Sequence, residues 1–174
     1  MSSEKPEIVH KRVDDHLVAG VRYQGDPGAL EPVFERMEQQ CREHICGPAF
    51  LVTYYGTGVK DGIDADACFP VSQPVETGDV RSWILNGGEA LSLLHRGPPE
   101  TMRESYGKLY GYLGEHGLIS QLSGREVHLE SDPDHLEQNV TELQAFLHKW
   151  EDLFAESVGR VLGEDARAEV AQGI

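Results

Sequence analysis

Positive charge is what this chain lacks most: 15 Lys and Arg stand against 30 Asp and Glu, a formal net charge of −15. A surface this acidic repels phosphate backbones and anionic lipid, so direct nucleic-acid or membrane binding is not expected, and cationic or neutral ligands are favoured. Much of the charge has the plainer effect of keeping a protein soluble. Cysteine is scarce as well. Cys41, Cys46 and Cys68 make an odd count at spacings that match no common zinc pattern, and they read as buried or idle thiols. No His-x-x-x-His pair falls on a helix, and Asp61, Asp64 and Asp66 lack the glycine and terminal glutamate of a calcium loop. No metal and no cofactor are therefore assigned. There is no Ser-His-Asp or Cys-His signature to support covalent catalysis. No apolar run approaches a membrane span, and Met1 to Pro6 has no signal-peptide core, so the expected location is the cytoplasm.

What is present fits one domain of ordinary composition, 39% hydrophobic and 26% charged over 174 residues, long enough to bury a core. Strands are expected over 7–13 and 16–24. Gly25-Asp-Pro-Gly28 then opens a helix over 29–44, whose stripe of Leu30, Val33, Phe34, Met37, Cys41 and Ile45 has helical spacing. Strands follow over 49–55 and 63–71. The second half reads as a strand over 80–85, an Asn86-Gly87-Gly88 hairpin turn, a returning strand over 89–95, and a helix from Gly97-Pro98 to His116-Gly117. Gly124 to Glu130 alternates, with Val127 and Leu129 on one face and Glu126, His128 and Glu130 on the other. That pattern suits any half-exposed strand. Residues 135–147 fit either a continued helix or a last strand over 140–147. From Leu147 to Leu162 the apolar positions make an amphipathic helix, followed by a tail.

The halves repeat. With Gly25 set on Gly97, Leu30 falls on Met102, Phe34 on Tyr106, Met37 on Leu109 and Cys41 on Leu113, all 72 residues apart. Past the helix the match continues with a widening offset, which favours a strand for 140–147. The expected fold is α+β: a strand-strand-helix-strand-strand unit built twice, over 7–76 and 77–147, giving about eight antiparallel strands, two helices and a central cleft. The second helix alone carries Gly107, Gly111 and Gly114 on one face. Mid-helix glycine costs roughly 1 kcal/mol against alanine, so a close approach is expected there, by a ligand or by the C-terminal helix.

Gly87-Gly88 through His95-Arg-Gly97-Pro98, then Tyr106 and Leu109, the Asp66 to Val71 strand ending in Pro-Val, and Thr141-Glu-Leu143 form a set of motifs. In these stretches the chain resembles the GyrI-like small-molecule-binding family, which includes effector domains of AraC- and MerR-type multidrug regulators and stand-alone gyrase-inhibitory proteins. The resemblance covers roughly residues 7–147 and implies a GyrI-like domain over 1–147, with 148–174 as an added helix and tail. No helix-turn-helix segment accompanies it, so the chain is not expected to bind DNA by itself.

The resemblance further implies that Glu126 is the acidic residue at the pocket floor that meets cationic ligands. His128 stands where the family has Tyr, which removes a stacking ring and adds a group that titrates near neutrality. Expected companions are aromatic: Phe50, Tyr54 or Tyr55, Trp83, and one or both of Tyr106 and Tyr110, with His95 as a pocket residue or a structural hydrogen bonder. The function implied is a stand-alone module that senses or sequesters a hydrophobic, cationic or neutral small molecule. One alternative is a hydrolase opening cyclopropane-bearing DNA-alkylating compounds, with Glu126 as general base. Another is a gyrase-inhibitor-like protein-interaction module, for which only the charge speaks. The C-terminal helix is left either to cap the cleft or to form a homodimer.

Overall fold

The computed structural model describes residues 8–148; the helix and tail expected beyond Leu147 lie outside the described residues, His148 apart. Among the described residues, eight strands and two α-helices run in the order β1 (Ile8–Val13), β2 (His16–Gly25), α1 (Leu30–Cys41), β3 (Phe50–Tyr54), β4 (Ile63–Pro70), β5 (Arg81–Leu85), β6 (Gly88–Arg96), α2 (Met102–Glu115), β7 (Ser120–Glu130) and β8 (Val140–Leu147). All described strands pair antiparallel in one sheet, ordered β1-β6-β8-β7-β3-β4-β2-β5. That order is symmetric about the β7–β3 pair, which is the duplication seen in three dimensions. The two α-helices begin at Leu30 and Met102, 72 residues apart as the sequence alignment has it.

Each helix starts where proline permits. A 3-10 turn at Pro27–Ala29 leads into α1, and the Asp26 carboxylate accepts the Gly28 amide at 2.9 Å. A matching turn at Pro99–Thr101 leads into α2. Gly117 ends α2 with φ +63°, and the Leu118 amide reaches back to the Leu113 carbonyl at 2.9 Å. On α1 the buried positions are Leu30, Met37 and Cys41, and on α2 Leu109 and Leu113.

The expected Asn86-Gly87-Gly88 hairpin does not form. β5 pairs with β2, with Leu85 opposite His16, while β6 pairs with β1, with Gly88 opposite Val13. The two strands lie at separate places in the sheet, and each half lends its first strand to the second strand of the other. Gly87 is needed here for close approach rather than for a turn. A Cβ at Gly87 would lie 1.8 Å from the Val13 carbonyl oxygen, and its amide donates to the Asp15 carboxylate at 2.7 Å. β7 is also longer than its alternation indicates. Ser120 to Gly124 has Leu122 as its one large apolar residue and no β-branched residue, and pairing with β8 and with the Tyr54 end of β3 makes it a strand.

Alternation along the central strands divides the core. On the helix side, α1 packs over Ala67, Phe69 and Leu51, and α2 over Leu91, Leu93 and Leu143, as two separate clusters. On the opposite side Val18, Phe50, Val52 and Cys68 form a third, with Trp83, Leu85 and Val127 against it. Each helix covers its own half of the sheet. Among the described residues the central pair β3–β7 is left largely uncovered between them, which makes a cleft on the pseudo-twofold.

Candidate functional site

The cleft floor is the helix-side face of β7 and β3. Cross-strand register puts Glu126 between Leu51 on β3 and Leu143 on β8. Those neighbours are 5% and 0% exposed, so a carboxylate occupies the middle of an apolar row. The Tyr106 hydroxyl, one helix away on α2, donates to Glu126 Oε1. Burial pushes the Glu126 carboxyl above the ordinary range, opposed in part by the Tyr106 hydrogen bond and the nearby His95. Burial likewise raises the Tyr106 hydroxyl, and the negative Glu126 adds to it. Tyr106 is therefore a donor at any ordinary pH.

Two cavities open from this floor, of about 650 Å³ and about 750 Å³, and they share Pro27, Leu51, Pro99, Met102 and Glu126 as a common wall. One is aromatic, with Tyr55, Tyr106 and Tyr110. Tyr106 and Tyr110 stack at 6.2 Å between ring centroids, 23° apart in plane. Burial raises the Tyr55 hydroxyl, with further contributions from Tyr110 and the Glu126 charge. The other cavity holds Phe34, Phe69, His128 and Thr141. His128 meets Phe34 edge-on at 5.4 Å, and burial lowers its pKa, so the ring is neutral near neutral pH. A neutral imidazole offers one donor and one acceptor and no competing charge.

Of the residues expected at the site, Glu126, His128, Tyr106 and Tyr110 come together around the cleft. Both α2 tyrosines face it, being four residues apart on one helix. Phe50, Tyr54 and Trp83 do not join them. Strand alternation sends Phe50 and Tyr54 to the opposite face, where both belong to the third cluster with Trp83. There the Tyr54 hydroxyl donates to Asp66 at 2.7 Å, with the Arg22 guanidinium 4.6 Å above its ring. Tyr55, at the end of β3, is the member of that pair in the cleft. His95 is 5% exposed and held structurally, with Nδ1 2.7 Å from Ser105 Oγ and Nε2 3.0 Å from Thr101 Oγ1.

The glycine face of α2 meets no described residue: a Cβ at Gly107, Gly111 or Gly114 would find nothing within 4 Å. Among the described residues no three metal-ligating side chains converge, and no helix is long and apolar enough to cross a membrane. Sequence reasoning did not assign Leu51, Pro27, Pro99, Met102 or Phe34 to the site. Phe34 stood in the helical stripe, and only the gap between the helices turns such core-like side chains into walls.

A duplicated antiparallel sheet with a carboxylate at the floor of an apolar, tyrosine-lined cleft has the form of a small-molecule-binding domain. The chain belongs to the GyrI-like family: the GyrI-like small molecule binding domain matches over residues 4–145. No curated protein sequence matches it. The C-terminal domain of EcmrR is similar in structure, at TM-score 0.71 and 17% identity over 83% of this chain and 98% of that domain. Against EcmrR in a DNA complex the TM-score is 0.70 at 19% identity over 82% of this chain, which spans 57% of that longer protein. A hydrolase from Listeria innocua gives 0.60 at 14% identity, covering 84% of this chain and 94% of that one. SAV2435 bound to tetraphenylphosphonium gives 0.57 at 11% identity, covering 83% and 96%. At such identities the likeness is one of fold.

Proposed function

We propose that the chain binds a hydrophobic small molecule, cationic or neutral and aromatic, in the central cleft, and acts in sensing or sequestration within the cytoplasm. Glu126 receives the positive group and Tyr55, Tyr106 and Tyr110 receive the rings. The observation that carries this reading is the placement of Glu126 between Leu51 and Leu143. A carboxylate desolvated by folding and held in no ion pair among the described residues is restored by a ligand that brings a cation. Tyrosine faces add attraction for a cation. The similarly folded SAV2435 was solved with tetraphenylphosphonium, itself a cation with aromatic arms.

A hydrolytic reading has one observation in its favour: burial raises the Glu126 carboxyl towards the range in which a general base operates. There Glu126 takes a proton from water as the water oxygen bonds to a strained ring carbon; the ring C–C bond breaks, and its electron pair passes to the rest of the substrate, which solvent then protonates. Titration calorimetry with tetraphenylphosphonium, beside product analysis with a cyclopropane-bearing alkylator, separates the two. Binding without turnover, weakened in Glu126→Gln, is the expected result. Turnover that disappears in the same variant would favour hydrolysis. Unchanged affinity in Glu126→Gln, with no turnover in either protein, would remove Glu126 from both.

A further inference from the structure

We propose that the preferred ligand is an elongated dication. Its aromatic cation lies against the tyrosines with its charge at Glu126, and a second ammonium arm enters the neighbouring lobe. This deepens the reading of Glu126 as a cation site and rests on it. The carrying observation is that two cavities, of about 650 Å³ and about 750 Å³, meet at one wall containing Glu126. Sites for drug-sized molecules span roughly 300–1,000 Å³, so either cavity alone accommodates one compact aromatic group. A cation held at the shared wall is therefore offered a second space of similar size.

The charges on the two cavities are unequal. The His128 lobe adds Glu31, Glu38 and Glu130 to Glu126 and has no Lys or Arg on its walls. The tyrosine lobe adds Arg103 and no second carboxylate. None of the three rim carboxylates is held in an ion pair among the described residues. They matter because they border a cavity whose interior carries Phe34, Phe69 and Leu30. Methylenes of an arm pack on that apolar interior while its ammonium head reaches carboxylates near the opening. An anionic or carboxylate-bearing arm is repelled from this lobe, and a purely hydrocarbon arm leaves the rim unused. The His128 ring, neutral beside Phe34, puts no positive charge in the path.

Ethidium and propidium make the test, because both carry the phenanthridinium ring system and propidium adds a quaternary ammonium on a propyl arm. Fluorescence titration at about 0.15 M salt limits the general pull of the acidic surface. Propidium is expected to bind about tenfold more tightly, the ratio given by roughly 1.4 kcal/mol of added attraction. The triple variant Glu31→Gln, Glu38→Gln, Glu130→Gln should bring that preference to about twofold or less, with ethidium affinity nearly unchanged. A control triple, Glu35→Gln, Glu43→Gln, Glu115→Gln, removes equal charge at exposed positions off the cleft and should keep the preference. Equal affinities for the two dyes, or equal loss of preference in both triples, overturns the dication proposal while leaving the Glu126 site standing. Failure of wild type to bind either dye, or binding of both that is unaffected by Glu126→Gln, overturns both readings together.

Discussion

Acidification should weaken cation binding at Glu126, beginning at a higher pH than for an ordinary glutamate. The perturbation is pH, lowered from about 8 to about 4 across the carboxylate range, with Glu126→Gln as the reference. Unit charges about 4 Å apart attract by roughly 4 kcal/mol at an effective dielectric of about 20. Desolvating the ligand returns part of that, so a net loss of about 1–3 kcal/mol, or roughly 5- to 150-fold in affinity, is expected when the carboxylate is neutralised. Burial holds the Glu126 carboxyl above its usual range, with Tyr106 and His95 opposing. The folded-state pKa is thus above the unfolded one. The stability this contributes is fully present below the unfolded value and is lost as pH rises through the folded value. A bound cation reverses the preference, so below the raised pKa binding must release a proton and affinity falls with acidification. Calorimetry with tetraphenylphosphonium, whose charge does not titrate, reads both affinity and proton release. Glu126→Gln should bind more weakly with a flat pH profile, and should be the more thermostable protein above the raised pKa when no ligand is present. Tyr106→Phe removes the donor that favours the carboxylate and should move the weakening to higher pH. Equal pH dependence in wild type and Glu126→Gln would refute this electrostatic account of the cleft.

Three further perturbations examine the fold around the site. Tyr54→Phe should cost about 1 kcal/mol through the lost Asp66 hydrogen bond and leave ligand affinity unchanged, whereas Tyr55→Phe should alter affinity; denaturant melts paired with calorimetry check both. Lys11→Met leaves Glu142, 8% exposed, without its cationic partner and should cost about 1–2 kcal/mol, discounted because Lys11 is itself partly solvated. Burial raises the Glu142 carboxyl, but hydrogen bonds from Lys11, Gln144 and Ser92 outweigh it and hold the pKa down. That contribution is present above the unfolded pKa and lost as pH falls through the folded one, so urea midpoints of wild type and Lys11→Met should converge in acid. Gly87→Ala drives a Cβ into the Val13 carbonyl, a backbone contact that no rotamer relieves; a loss of about 3 kcal/mol or more, or no folded protein, should appear by circular dichroism.

Much of the fold was legible because it rests on local rules. Helix positions came from the 3.6 period and from Gly and Pro at the ends, strands from alternation, and the duplication from apolar positions 72 residues apart. The first two are written in neighbouring residues, and the duplication in the comparison of two such local patterns. The site was legible only in part. The residues matching the family pattern pointed to Glu126 and Tyr106, which meet in the cleft, while Phe50, Tyr54 and Trp83 lie on the opposite face of the sheet. Composition makes these as good pocket walls as Tyr55; a one-residue step in the chain separates Tyr54 from Tyr55, while Trp83 is carried by β5 to the opposite face.

Taken alone, the sequence determined the α+β class, the two units, the helix faces and the excess of acid, since propensity, periodicity and charge need no partner. Tertiary structure alone decided that β5 leaves β6 to pair with β2. It also decided that the helices cover separate halves of the sheet, and that Glu126 lies between Leu51 and Leu143 with Tyr106 above it. Those are long-range pairings. They depend on which strands meet and in what register, and the cleft is the space left where two well-packed halves join.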